Sequence, residues 1–129
     1  MDKNFKVWGI NYSIIGDLVM ALPSLYALER RYPNSYKYFV IEKKVSQCAS
    51  LFLNHPLIDK IWITEPWKGF STNDIELFNS CQFKCPLDQN HQDKYWYNYR
   101  SCIEETAFMA GIDPEEIKSL SNEERQPKL

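Results

Sequence analysis

The apolar positions of this chain change period several times, and each change marks an element. "FKVWGI", Phe5–Ile10, is rich in β-forming residues and predicts a strand buried on both faces. From Asp17 to Tyr32, Leu18, Val19, Leu22, Leu25, Tyr26 and Leu28 recur at three- and four-residue steps, with Glu29 and Arg30 left toward solvent. That is the spacing of an amphipathic helix. Pro23 lies inside it, where a missing N–H and a clash with the preceding turn cost about 3 kcal/mol, so a kink or a restart is expected. Pro33-Asn34-Ser35 ends the helix.

"YKYFVIE", Tyr36–Glu42, predicts a second strand, and "KVSQCASLFLN", Lys44–Asn54, returns to helical spacing through Val45, Cys48, Ala49 and Phe52. "HPLIDKIWIT" adds a proline-marked turn and a third strand, Lys60–Thr64, whose apolar run predicts a buried parallel position. Strands alternating with helices at this spacing predict an α/β fold, a Rossmann-like open parallel sheet with helices on both faces.

The next segments are less regular. "DIELFN", Asp74–Asn79, reads as a short strand, and Ser80–Trp96 as a long polar and aromatic connection of the kind that carries function. Cys102, Ile103, Ala107 and Ala110 then share one helix face, Glu104 and Glu105 the other, and Gly111 stops the helix. Asp113 before Pro114 marks an N-cap with proline at the first helical position, predicting a short helix to about Leu120. Residues 1–120 therefore form one Rossmann-like domain, and 121–129 a polar tail or the start of an interdomain linker.

Composition narrows the function. The chain has 129 residues, 44% hydrophobic and 15% aromatic, with a net charge of −2. It is large enough for a real core, and it lacks the basic excess of a protein built to hold a nucleic-acid backbone. The charge is uneven, with eight Lys/Arg against five Asp/Glu in residues 1–62 and seven against twelve in 63–129. The basic half fits a solvated helix face, or one turned to an anionic substrate or lipid surface. With no leader-like opening and no apolar run of spanning length, the expectation is a cytoplasmic protein, at most peripheral to the inner face of the membrane.

In that compartment Cys48, Cys81, Cys85 and Cys102 are expected to be reduced. Cys81, Cys85 and His91 in "SCQFKCPLDQNH" lack the second ligand pair of a zinc pattern. The thiols read as structural, and no metal or cofactor is called for.

The candidate chemistry lies where the first strand runs into Gly16-Asp17. In an open α/β sheet, ligands bind beyond the carboxyl ends of the strands. A dinucleotide fingerprint fails here, because Gly16 stands alone where three glycines are needed. Two readings of Asp17 remain open. It can cap the helix, worth about 1 kcal/mol, or act as a general base that takes the proton of an attacking hydroxyl. Gly16 would let a bulky acceptor approach the backbone.

"GDLVMALPSLYALERRYPNSYKYFVIEKKVSQCASLFLNHPLIDKIWI" resembles the N-terminal half of the heptosyltransferase-like glycosyltransferases of family 9. The likeness lies in the order of strand, Gly-Asp, proline-containing apolar helix, second strand and Asn-x-Pro-x-x-Asp turn before strand three. It covers about Lys6 to Ile63, and "YRSCIEETAFMAGID" looks like a later helix of that family. The resemblance implies one half of a GT-B arrangement, with the acceptor on this domain and a nucleotide-sugar donor on a second one, in lipopolysaccharide biosynthesis. It makes Asp17 the catalytic base of an inverting transfer. It places Asn11, Tyr12, Ser13 and Gly16, with Lys43 and Lys44 after strand two, on the acceptor side; the lysines also fit a solvated helix start.

Such enzymes are more than twice this length. The expectation is therefore an acceptor-binding domain, inactive alone, that meets a glycan or glycolipid acceptor and reaches its donor through a C-terminal domain or partner chain. The rival is a non-catalytic α/β binding or assembly module on the same scaffold. "NHQDKYWYNYR", Asn90–Arg100, could stack on a sugar, and packing explains its aromatics as well. His55 reads as a turn residue with Asp59 as its capping partner.

Overall fold

The computed structural model describes residues 4–9, 15–65, 69–85 and 102–128, with the backbone alone at 15, 17, 102, 105 and 109. Among these, strands β1 (Lys6–Trp8), β2 (Tyr36–Glu42), β3 (Lys60–Thr64) and β4 (Phe83–Lys84) form one parallel sheet in the order β3-β2-β1-β4. The α/β class and parallel sheet read from the sequence are what the chain builds, and β2 and β3 match their expected bounds.

The period of two sorts the strand residues into two cores. Val7, Phe39 and Ile41 face one side, with Leu18, Leu22, Leu25 and Leu28 from helices α1 (Ile15–Met20) and α2 (Leu22–Arg31). Trp8 and Val40 face the other, against Cys81, Phe70, Leu77 and Phe78 around helix α3 (Thr72–Ser80). Each fully buried Leu or Phe contributes roughly 1.5–3 kcal/mol, so β1 is held from both sides despite its length. Helices α4 (Cys102–Met109) and α5 (Pro114–Lys118) join α1 and α2 on the first face through Ala107, Ala110, Ile112 and Ile117.

Pro23 acts as its chemistry requires. The helix breaks at Ala21, and Pro23 falls in the first turn of α2, where its missing N–H leaves no bond unmade. Gly111, at φ 84°, closes α4. Ile112 N donates to Ala107 O at 2.9 Å and Gly111 N to Phe108 O at 3.0 Å, the paired bonds of a Schellman end. Asp113 caps α5, accepting from Glu115 N at 3.0 Å.

Several expectations are corrected. Asp74–Asn79 is helix, because Ser71 and Asp74 form a reciprocal capping box that starts α3. The fourth strand lies instead at Phe83–Lys84, inside the stretch read as connection. Lys43–Phe52 is a 3₁₀ run kinked at Val45. It descends from the end of β2 toward the start of β3, and ten residues cover about 20 Å as 3₁₀ against about 15 Å as α-helix. Among the described strands β3 lies at the edge of the sheet, with Lys60 and Ile63 exposed. Glu29 is turned to the ammonium of Lys37, which is buried in β2 and also donates to Ser35 O at 3.3 Å.

The polar segment after α5 is tied down. Ser121 and Glu124 form a second capping box at 3.0 and 3.2 Å, and Arg30 of α2 donates to Ser119 O at 2.8 Å and to Glu124 Oε1 at 2.7 Å.

Candidate functional site

The chain moves from β1 to β2 to β3 across the sheet, then returns to place β4 on the other side of β1. The strand order therefore reverses at β1, and the crevice between the carboxyl ends of β1 and β4 is where an open parallel sheet offers a ligand site. Gly9 ends β1 there. A Cβ on Gly9 would stand 2.2 Å from Tyr38 O, so glycine alone lets Gly9 N reach that oxygen at 2.7 Å. On the β4 side, Cys85 N donates to Trp8 O at 3.1 Å.

Helix α1 carries Gly16 and Asp17. The described helix runs Ile15–Met20, so Asp17 lies inside it and not at an N-cap, which replaces the capping reading. Gly16 is exposed, its φ lies outside the left-handed region, and a Cβ there would meet nothing within 4 Å among the described residues. Neither its backbone conformation nor its packing against the described residues demands glycine. Asn11, Tyr12 and Ser13 lie outside the described residues, as do His91 and the Asn90–Arg100 stretch.

At the carboxyl end of β2, Lys43 and Lys44 are exposed. Lys43 Nζ lies 3.5 Å from Glu65 Oε1, and Lys44 Nζ 3.5 Å from Glu42 Oε2. The site is thus a row of strand tips with lysines on its rim. Two acids here escaped the sequence reading. Glu42 is buried at the last position of β2. Asp74, also buried, accepts from Trp62 Nε1 at 2.7 Å, Ser71 N at 2.9 Å and Thr64 Oγ1 at 3.2 Å. Burial pushes the Asp74 carboxyl up, but the Trp62 indole and the donors of Ser71 and Thr64 outweigh it and hold it below its ordinary value. The Ser-x-x-Asp spacing was the available signal for Asp74; for Glu42 the sequence showed only a polar strand end.

The remaining candidates are structural. His55 Nδ1 accepts from Leu57 N at 3.1 Å and the ring packs edge-on to Tyr26, so His55 is the expected turn residue. Asp59 accepts from Lys37 N at 2.8 Å, a bond that ties the entry of β3 to β2. Cys81 and Cys85 lie in different cores on opposite faces of the sheet. Burial raises both thiols, Cys85 to about 12, which keeps them protonated and poor ligands. Among the described residues no group of three or more His, Cys, Asp or Glu could hold a metal ion. No described helix is long and apolar enough to cross a membrane.

The strand order, reversing at β1, defines a parallel α/β sheet with helices packed against it. No family model and no curated protein matches the chain. Among solved structures it is similar to the crystal structure of the glycosyl transferase family 9 from Veillonella parvula DSM 2008, at 18% identity and a TM-score of 0.40 over 84% of this chain. This chain covers 30% of that one.

Proposed function

We propose that this chain is the acceptor-binding domain of a glycosyltransferase of the heptosyltransferase-like kind, one half of a GT-B arrangement, with Asp17 as the base. The observation that carries the reading is Gly16. An alanine would favour the helix and would meet no neighbour within 4 Å among the described residues, and its absence leaves the backbone open to a bulky acceptor. A glycan hydroxyl brought against this turn sits beside the first turn of α1, where Asp17 can take its proton as the oxygen attacks the donor's anomeric carbon. The sugar–phosphate bond breaks as the new glycosidic bond forms, and the nucleotide leaves with the electron pair. Lys43 and Lys44 suit an acceptor that carries acid or phosphate groups.

Donor binding belongs to a second domain or partner chain in this reading. The test is transfer of labelled sugar from a nucleotide sugar to a glycolipid acceptor by the chain joined to that donor-binding unit. Asp17→Asn is expected to lower turnover about 10²–10⁴-fold with an unchanged urea midpoint. An unchanged rate overturns the assignment and favours the non-catalytic module.

A further inference from the structure

Two carboxylates are buried on one face of the sheet, Glu42 at the tip of β2 and Asp74 of α3 over the end of β3, and they differ in one respect. Asp74 is saturated by the Trp62, Thr64 and Ser71 donors. Glu42 is not. Its side chain is 5% exposed, and its Oε2 is buried with no hydrogen-bond donor. Thr64, its register partner on β3, has turned its hydroxyl to Asp74. Lys44 Nζ, 3.5 Å from Oε2 on a side chain 56% exposed, supplies charge without a hydrogen bond. A buried carboxylate oxygen lacking a donor is costly to the fold. Here the cost falls at the carboxyl end of β2, the edge at which parallel sheets bind ligands and where nucleotide-binding members place an acid against a ribose.

We propose that Glu42 is a specificity residue that accepts hydrogen bonds from the vicinal diol of a sugar. The inference deepens the acceptor-binding reading and rests on it for the choice of a glycan as ligand. A carboxylate is acceptor-only and matches two adjacent hydroxyl donors. Lys43 and Lys44 beside it disfavour a metal cation as the missing partner. Entry requires the Lys44 ammonium to swing aside, which its exposed and flexible stem permits. A vicinal diol could belong to a glycan acceptor or to the ribose of a nucleotide, and both present the same pair of donors.

The experiment is a titration of the isotope-labelled chain followed by amide shifts. The probes are methyl α-D-mannopyranoside, the same mannoside with its cis-diol locked as an isopropylidene acetal, adenosine and dideoxyadenosine. The expected result is that the free mannoside shifts the amides of Glu42 and Lys44, and that both the acetal and the E42Q variant weaken binding about tenfold or more. The acetal comparison uses the wild-type chain, so it stands whatever E42Q does to folding. Adenosine binding in place of the mannoside, with dideoxyadenosine silent, supports the diol role of Glu42 and overturns the acceptor reading. Mannoside binding that the acetal and E42Q leave unchanged overturns the role of Glu42 alone. Silence of all four probes up to their solubility overturns the proposal.

Discussion

Arg31 holds Glu116 with both arms of its guanidinium, Nε to Oε1 at 3.0 Å and Nη2 to Oε2 at 2.6 Å, joining the end of α2 to α5 across 85 residues of sequence. The same guanidinium lies 5.4 Å from the Phe83 ring centroid and 5.8 Å from that of Tyr32. One side chain therefore ties α2, α5 and the edge strand β4 together.

Replacing Arg31 by Met should remove the forked pair and the contact with the rings while keeping much of the apolar stem. Both partners are about one-third exposed, so solvent screening limits the pair to about 1 kcal/mol, and the ring contact adds about 0.5–1 kcal/mol. A fall of about 1–2 kcal/mol in urea unfolding is expected. Arg31→Lys should recover only part of it, because an ammonium cannot bridge both oxygens in the same way. Full recovery by lysine would show that charge alone matters.

Asp74 should make stability depend on acidity. Its carboxyl is held below its ordinary value, so its contribution is present above the ordinary carboxylate range and is lost as pH falls through the lowered value. Asp74→Ala leaves the Trp62 indole, the Thr64 hydroxyl and the Ser71 amide without this partner and should cost about 2–4 kcal/mol. Asp74→Asn should cost less and flatten the acid limb of the stability profile. An acid limb unchanged in Asp74→Asn would refute the assignment.

His55 contributes at milder pH. Burial lowers its value below 6.5, so between that lowered value and 6.5 the unfolded chain binds the proton and the folded chain does not. Stability is then fully present above 6.5 and is lost as pH falls through this window. His55→Asn, whose side-chain oxygen can accept from Leu57 N, should be nearly as stable as wild type at pH 7.5 and should lose less stability on going to pH 5.5, as read by thermal midpoints. Equal slopes for the two proteins would contradict this.

The two glycines near the crevice should respond oppositely to alanine. Gly9→Ala drives a Cβ to 2.2 Å from Tyr38 O and should part β1 from β2, with the largest loss of stability among these variants. Gly16→Ala meets none of the described residues within 4 Å and should stabilise α1 by about 0.5–1 kcal/mol, while weakening binding of a sugar acceptor. A more stable Gly16→Ala protein with unimpaired acceptor binding would remove the main support for the proposed function.

Local chemistry made much of this molecule legible in the sequence. The β-forming run Tyr36–Glu42 and the three-and-four spacing from Leu18 to Leu28 reflect which side chains must leave water. Pro23, Gly111 and Asp113 constrain backbone dihedrals and hydrogen-bond donors within a turn of themselves. Gly16-Asp17 was visible as a strand-tip candidate for the same reason. Other features were decided by partners distant in sequence. Asp74–Asn79 has strand-like composition and became helix once Ser71 and Asp74 capped it and Trp62 and Thr64 fastened the cap. Lys37 and Glu42 are polar positions of a strand, and the sheet and the helices on its two faces buried both. Arg31 meets Glu116 only after the chain has returned to α2. Side-chain periodicity and caps act over a few residues and are written in the chain itself; the burial of a charge and the pairing it then requires depend on which distant segment packs over it, and the tertiary structure alone determines that.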